Sequence, residues 1–301
     1  MTHSIFDAYL IVDWSANATP KQGADSIWYC LLQRSSRGLS RRHLSNPSTR
    51  WQARGEIADI LKDLAAAGQR VLAGFDFPNG YPAGFAHAAG FSGPSWRAVW
   101  DGLDAMIQDG ADNGNNRFEV AAALNQRISG GPFPFWGCPS HRQTANLSMR
   151  KIRAYDDITP ERRRCEAWMP RSQPCWKLYT TGSVGSQALV GIPVLKALRD
   201  DPDLTLKTLV WPFETGLGPP DTNDTWQIIL AEVYPSILRI KARAGEVKDA
   251  VQVETIARYL AGRDRRGELA GDLAGPDSLS QTDRALIGGE EGWILGAGTL
   301  V

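Results

Sequence analysis

The sequence predicts an α/β fold built on a mixed sheet, and three observations carry that prediction. The apolar runs Tyr9-Leu-Ile-Val-Asp13 and Val71-Leu-Ala-Gly-Phe-Asp76 each stop at a carboxylate, as buried strands do where they reach the rim of a sheet. Up to Asp76 the pattern reads strand, strand, strand, helix, strand. A long irregular stretch, 80–190, then separates this group from two further apolar runs and a closing helix.

Residues 7–13 read as the first strand, Asp25–Gln33 as the second and Leu39–Leu44 as a short third, with Ser35–Gly38 as the hairpin turn. Pro47 opens a helix that runs to about Ala67. Ile57, Ile60, Leu61 and Leu64 fall at helical spacing within it, and Gly68 stops it. Arg70–Asp76 follows as a strand. A right-handed crossover lays that strand parallel to the first and brings Asp76 beside Asp13. We treat 1–301 as one domain, with 80–190 as an inserted helical and loop subdomain. Turn-rich segments there surround helices at Trp96–Ile107 and Phe118–Arg127, and an insertion of this length more often serves a site than a linker. A helix at 186–199 leads back to the core. Leu206–Glu214 and Trp226–Pro235 read as two more strands, and a helix from Lys248 to about Leu260 closes the core. Glu290–Leu295 is expected to return along the surface.

Composition narrows the function classes. The chain has 301 residues, 43% hydrophobic and 22% charged, which excludes a disordered or fibrous protein. Lys and Arg together number 33, as do Asp and Glu, so net charge gives no support to a strongly nucleic-acid-binding surface. The clusters Arg162–Arg164 and Arg263–Arg266 read as solvated helix faces, with phosphate contact as the alternative. Cys30, Cys138, Cys165 and Cys175 lack zinc-site spacing. No apolar run reaches membrane-spanning length and the N-terminus carries no basic-then-apolar signal. A cytoplasmic protein without a membrane partner is the expectation. His3, His43, His87 and His141 show no ligand spacing; only His141, inside the insertion, is a candidate acid or base.

Four carboxylates stand where chemistry would need them. Asp13, Asp76 and Glu232 end or nearly end apolar runs, and Asp249 opens a helix. Hard oxygen donors of this kind suit one or two Mg²⁺ or Mn²⁺ ions, which together activate water and stabilise a leaving oxygen in phosphoryl transfer. Each acid has a plainer reading as a helix or turn cap. Two weaker clusters follow. Asp112–Glu119 puts Asn116 and Arg117 at a helix start, either to recognise substrate or to cap the helix. Lys177–Gln187, with Ser183 and Ser186, is a Gly/Ser/Thr-rich turn into a helix, a geometry that can cradle phosphate on backbone N–H groups. It lacks the Lys-Ser/Thr pair of a P-loop.

The succession Val12-Asp13-Trp-Ser-Ala, Gly74-Phe-Asp76-Phe-Pro-Asn-Gly, Ala231-Glu232-Val-Tyr-Pro235, Lys248-Asp249-Ala-Val-Gln252 and Glu291-Gly-Trp-Ile-Leu295 resembles the domain-of-unknown-function family 429. Its members are regarded as predicted nucleases of the ribonuclease H-like fold. The resemblance covers roughly 1–80 and 205–295. It implies a mixed five-stranded sheet that begins with three antiparallel strands. It also implies Asp13 as the metal-bridging acid, Asp76 as a second ligand and Asp249 as the ligand from the late helix, with Glu232, or Glu214, completing the shell. Resolvase-like relatives carry a closely repeated pair of acids on the last helix. Here Asp249 is followed only by Glu254, five positions on, which puts the two side chains on different faces.

The leading expectation is therefore a Mg²⁺- or Mn²⁺-dependent phosphodiester hydrolase of ribonuclease H-like fold, acting on nucleic acid or a phosphorylated small molecule. A non-catalytic protein of the same fold, binding a small ligand or a partner (an accessory of a cofactor pathway, for instance), is one alternative. Nucleotide-dependent phosphotransfer is the other.

Overall fold

The computed structural model describes residues 4–35, 38–93, 95–156, 159–169, 171–221 and 224–300. The chain begins with β1 (Ala8–Asp13), β2 (Trp28–Ser35) and β3 (Gly38–Ser45), followed by α1 (Arg50–Ala66) and β4 (Val71–Phe75). Then come α2 (Phe85–Ala88), α3 (Ser95–Met106), α4 (Arg117–Ser129), α5 (Arg164–Ala167) and α6 (Gly185–Arg199). The last part holds β5 (Thr208–Val210), β6 (Ile228–Glu232), α7 (Lys248–Arg265), α8 (Leu269–Ala274) and α9 (Gln281–Leu286).

The strands form one six-stranded mixed sheet in the order β3-β2-β1-β4-β6-β5. β1 pairs antiparallel with β2, and β2 with β3. β4 lies parallel to β1, β6 parallel to β4, and β5 parallel to β6. The expected order of three antiparallel strands, a crossover helix and a parallel strand is thus present in an α/β fold. The sheet has one strand more than the five implied by the resemblance. The extra member is the short edge strand β5. Only Thr208–Val210 of the expected 206–214 strand pairs, because the chain turns at Trp211–Thr215.

Helices cover both faces, so the central strands are apolar on each side. On one face Leu10, Val12, Ala73, Phe75, Ile228 and Leu230 pack against α1, α3, α4 and α6. On the other, Tyr9, Ile11, Leu72, Ile229 and Ala231 pack against α7 and α8. Gly74 is required by this second layer: a Cβ there would stand 2.6 Å from Val233 Cγ1 and 2.9 Å from Ile11 Cδ1. Local sequence explains the helix ends as well. Thr49 caps α1 by accepting from the Gln52 N–H at 3.2 Å, so the helix starts just after the expected Pro47.

Two departures concern the end of the chain and the hairpin. Glu290–Leu295 does not return along the surface. Glu291, Trp293, Ile294 and Leu295 are buried, and Leu295 N–H donates to Glu232 O at 2.9 Å. Ile294 bridges to Glu232 as a parallel partner, so this segment closes the sheet rim. Ser36 and Arg37 of the expected hairpin turn, and His3, lie outside the described residues. No helix among the described residues is long and apolar enough to cross a membrane.

Candidate active site

Register decides which acids meet. Val12 pairs with Phe75 across the parallel β1–β4 ladder, and Asp76 N–H donates to Val12 O at 2.9 Å. Asp13 and Asp76 are thus adjacent at the carboxyl ends of neighbouring strands. Each is in phase with Tyr9 and Ile11, or with Leu72, so both carboxylates belong to the α7 face of the sheet. That helix runs back along β1. Near its C-terminal end Asp264 accepts from Ile5 N–H, Phe6 N–H and the Tyr9 hydroxyl at 2.9, 3.0 and 2.5 Å. Its first turn consequently stands at the opposite end of β1, and there Asp249 accepts from Asp25 N–H at 2.7 Å. Three acids from distant parts of the sequence converge at one corner.

Their electrostatics are adverse. Burial, then the charges of Asp76 and Asp249, pushes the Asp13 carboxyl well above its ordinary range, with Lys248 opposing weakly. Burial, then Glu232 and Asp249, pushes Asp76 up to about 8. Asp249 is raised mainly by burial, against the lowering effect of the Asp25 N–H. Neither Asp13 nor Asp76 forms an ion pair among the described residues. Like-charged carboxylates held this way must bind either protons or a cation.

Glu232 departs from the expected ligand role. It is in phase with Ile228 and Leu230 and only 4% exposed, and it lines a small cavity together with Asp76 and Arg163. Arg163 Nη1 and Nη2 donate to its two oxygens at 2.7 and 2.6 Å, and Asn79 N–H donates at 3.0 Å. This also corrects the reading of Arg162–Arg164 as a solvated face: Arg163 is buried and further bonded to Glu166 at 3.0 Å. Arg263 and Arg266 of the other basic cluster pair with Asp272 and Glu268. Glu214 is taken by Arg199, at 2.8 Å to each oxygen. Glu254 pairs with Arg258 at 2.8 Å.

Asp13 and Asp249 line a cavity of about 570 Å³ together with the 178–183 turn and the start of α6. Arg117, Ser183 and Ser186 line it. Arg117 Nε donates to Ser186 Oγ at 2.9 Å and Nη1 to Asn115 Oδ1 at 2.8 Å. Burial, with Arg50 and Arg142 nearby, pulls the Arg117 pKa down to about 10, so it stays charged at neutral pH. Ser186 Oγ donates to Leu178 O at 2.6 Å. Gly185 has backbone pressed against Cys175 O and Lys177 O, where any Cβ would collide; this close approach seats the helix start in the cavity wall.

The remaining candidates serve the scaffold. Asn116 ties the turn before α4 by accepting from Gln108 N–H and donating to Met106 O, at 2.8 and 2.9 Å. Lys177 Nζ donates to Thr181 O at 2.9 Å and so braces the 177–185 turn. His141 is exposed on a single 3₁₀ turn, outside the cavity lining.

Sequence reasoning missed Asp25 and Asn17 as cavity residues, together with Arg163 as the buried partner of Glu232. Gln187 Nε2 holds Trp14 O at 2.6 Å, fixing the chain just after Asp13. Among the described residues no three His, Cys, Asp or Glu form a ready-made metal cluster. No family model, curated protein or solved structure matches the chain.

Proposed function

We propose that the protein is a divalent-metal-dependent phosphoryl ester hydrolase, with Asp13 as its central acid and a sheet of ribonuclease H-like order beneath it. One observation carries the reading. Asp13, Asp76 and Asp249 are brought together from two strand ends and a helix start without a cation of their own. The donor set fits Mg²⁺ or Mn²⁺: all hard oxygen, partly buried, mutually repelling. The absence of a closed cluster is compatible with Mg²⁺, which binds through one or two carboxylates and keeps several waters. When bound, such an ion lowers the pKa of a coordinated water and offsets charge on a phosphoryl oxygen.

The chain's own residues do the rest. Asp13 and Asp76 supply the anionic oxygens, aligned by the Asp76 N–H to Val12 O bond. Asp249 closes the third side, oriented by the Asp25 N–H. Gln187 fixes the backbone at Trp14, and Arg117 supplies positive charge across the cavity.

Calorimetric titration with Mn²⁺ tests it. Binding to the parent should be lost in Asp13→Asn and weakened in Asp76→Asn, with the far-ultraviolet circular dichroism unchanged. Mn²⁺-dependent cleavage of bis(p-nitrophenyl) phosphate should vanish in Asp13→Asn. Equal Mn²⁺ affinity in parent and Asp13→Asn would overturn the reading. A second reading, a ligand-binding protein that has lost catalysis, is favoured by one observation: Arg163 neutralises the fourth acid, Glu232.

A further inference from the structure

The cavity lining carries both signs of charge. Asp13, Asp25 and Asp249 contribute the acids. Arg117, the hydroxyl-bearing turn 180–183 and the first residues of α6 also line it. Arg117 is the unusual member. It forms no ion pair among the described residues, and its Nη2 has no acceptor there, although Nε and Nη1 are both anchored. A guanidinium fixed on two sides, with a third nitrogen unused, is preorganised for an oxyanion. Around it, Ser183 Oγ makes no hydrogen bond among the described residues. The N–H groups of Ser186 and Gln187 sit in the first turn of α6, where no intrahelical acceptor exists. α6 is 15 residues long, so its positive end adds to the same field. Trp14 also lines the cavity, and its indole N–H is buried without an acceptor.

Size and surface point to the ligand class. About 570 Å³ lies within the range of small-molecule sites. Tyr179, 45% exposed, stands in the cavity wall and offers an aromatic face to an organic group. The chain as a whole carries equal numbers of basic and acidic residues, 33 of each, and duplex binding depends on surplus positive charge.

We propose that this cavity takes a phosphorylated small molecule, its phosphate held between Arg117, the Ser183 hydroxyl and the Ser186 and Gln187 N–H groups of α6. Because that phosphate would share a cavity with Asp13 and Asp249, the assignment rests on the hydrolase reading, and the test keeps the two apart.

Inorganic phosphate is titrated into the whole protein by calorimetry, once in EDTA and once with Mg²⁺. The parent should bind in both, more tightly with Mg²⁺. Arg117→Gln should weaken binding in both by roughly tenfold to a hundredfold, the range for losing a charged hydrogen bond. Arg117→Lys should fall between them, which separates lost charge from a folding defect. Asp13→Asn should keep phosphate binding in EDTA while losing the gain from Mg²⁺. Phosphate binding lost in Asp13→Asn but intact in Arg117→Gln would overturn the anion subsite and leave the hydrolase reading standing. The converse, Arg117-dependent phosphate binding with Mg²⁺ affinity unchanged in Asp13→Asn, would support the subsite and sink the hydrolase reading. A duplex oligonucleotide that binds more tightly than phosphate at physiological salt would overturn the small-molecule assignment.

Discussion

Two groups of carboxylates lie at the same sheet rim and are treated in opposite ways. Glu232, at the end of β6, is fully compensated: a buried guanidinium grips both oxygens and a backbone N–H adds a third bond. Asp76, on the neighbouring strand β4, and Asp13, one strand further on, form no ion pair among the described residues and are surrounded mainly by other carboxylates. Within a single sheet the first arrangement fixes structure, whereas the second accumulates repulsion that only a proton or a bound cation relieves. The lesson is that an acid at a strand end becomes a ligand candidate through what faces it, and here the reach of Arg163 to Glu232 decides that.

The largest effect should come from breaking the satisfied half. Arg163→Met leaves Glu232 and Glu166 buried without their cation, and should cost about 3–5 kcal/mol in denaturant unfolding. Adding Glu232→Gln to it should recover part of the loss; no recovery would show that the pair is not the source. Next comes filling the other half. At a Mn²⁺ concentration about a hundredfold above its dissociation constant, the parent should gain about 2.7 kcal/mol, read as a higher melting temperature that Asp13→Asn does not show.

A third effect is the pH dependence of the metal-free protein. The Asp76 carboxyl moves from an ordinary 3.8 to about 8 on folding, so the folded chain holds a proton that the unfolded chain releases. Stability from this group is whole below about pH 4 and falls as pH rises through about 8. After discounting for the partly open rim, the loss should be about 2 kcal/mol. Thermal melts in EDTA across that window should show it, and Asp76→Asn should flatten the slope. The smallest effect tests the helix acid: Glu254→Gln should cost about 0.3–0.5 kcal/mol, as expected for an exposed i,i+4 pair with Arg258, and leave Mn²⁺ affinity unchanged in calorimetry.

Much of the scaffold was legible. Continuous apolar runs ending in Asp13 and Asp76 marked two buried strands, and chain order with crossover handedness made them neighbours. Helical periodicity located α1, α3, α4, α6 and α7 within a few residues. Leu206–Glu214 was read too long because apolar composition cannot show where a strand bends away. Trp293 to Leu295 was misjudged because nothing local reveals that a short segment closes the rim beside β6. Arg162–Arg164 looked like a charged surface, and Arg163 is among the most buried side chains in the protein.

By itself the sequence determined which residues end strands, where several helices start, and that Asp13 and Asp76 are neighbours; the α7 contacts brought Asp249 to the same corner. Only the tertiary structure decided the fate of Glu232 and the meeting of Arg117 with the 178–187 turn. A strand buried on both faces carries no alternating pattern, so sequence cannot say which side its last acid takes. A buried arginine, in turn, is identified solely by the partners that folding brings to it.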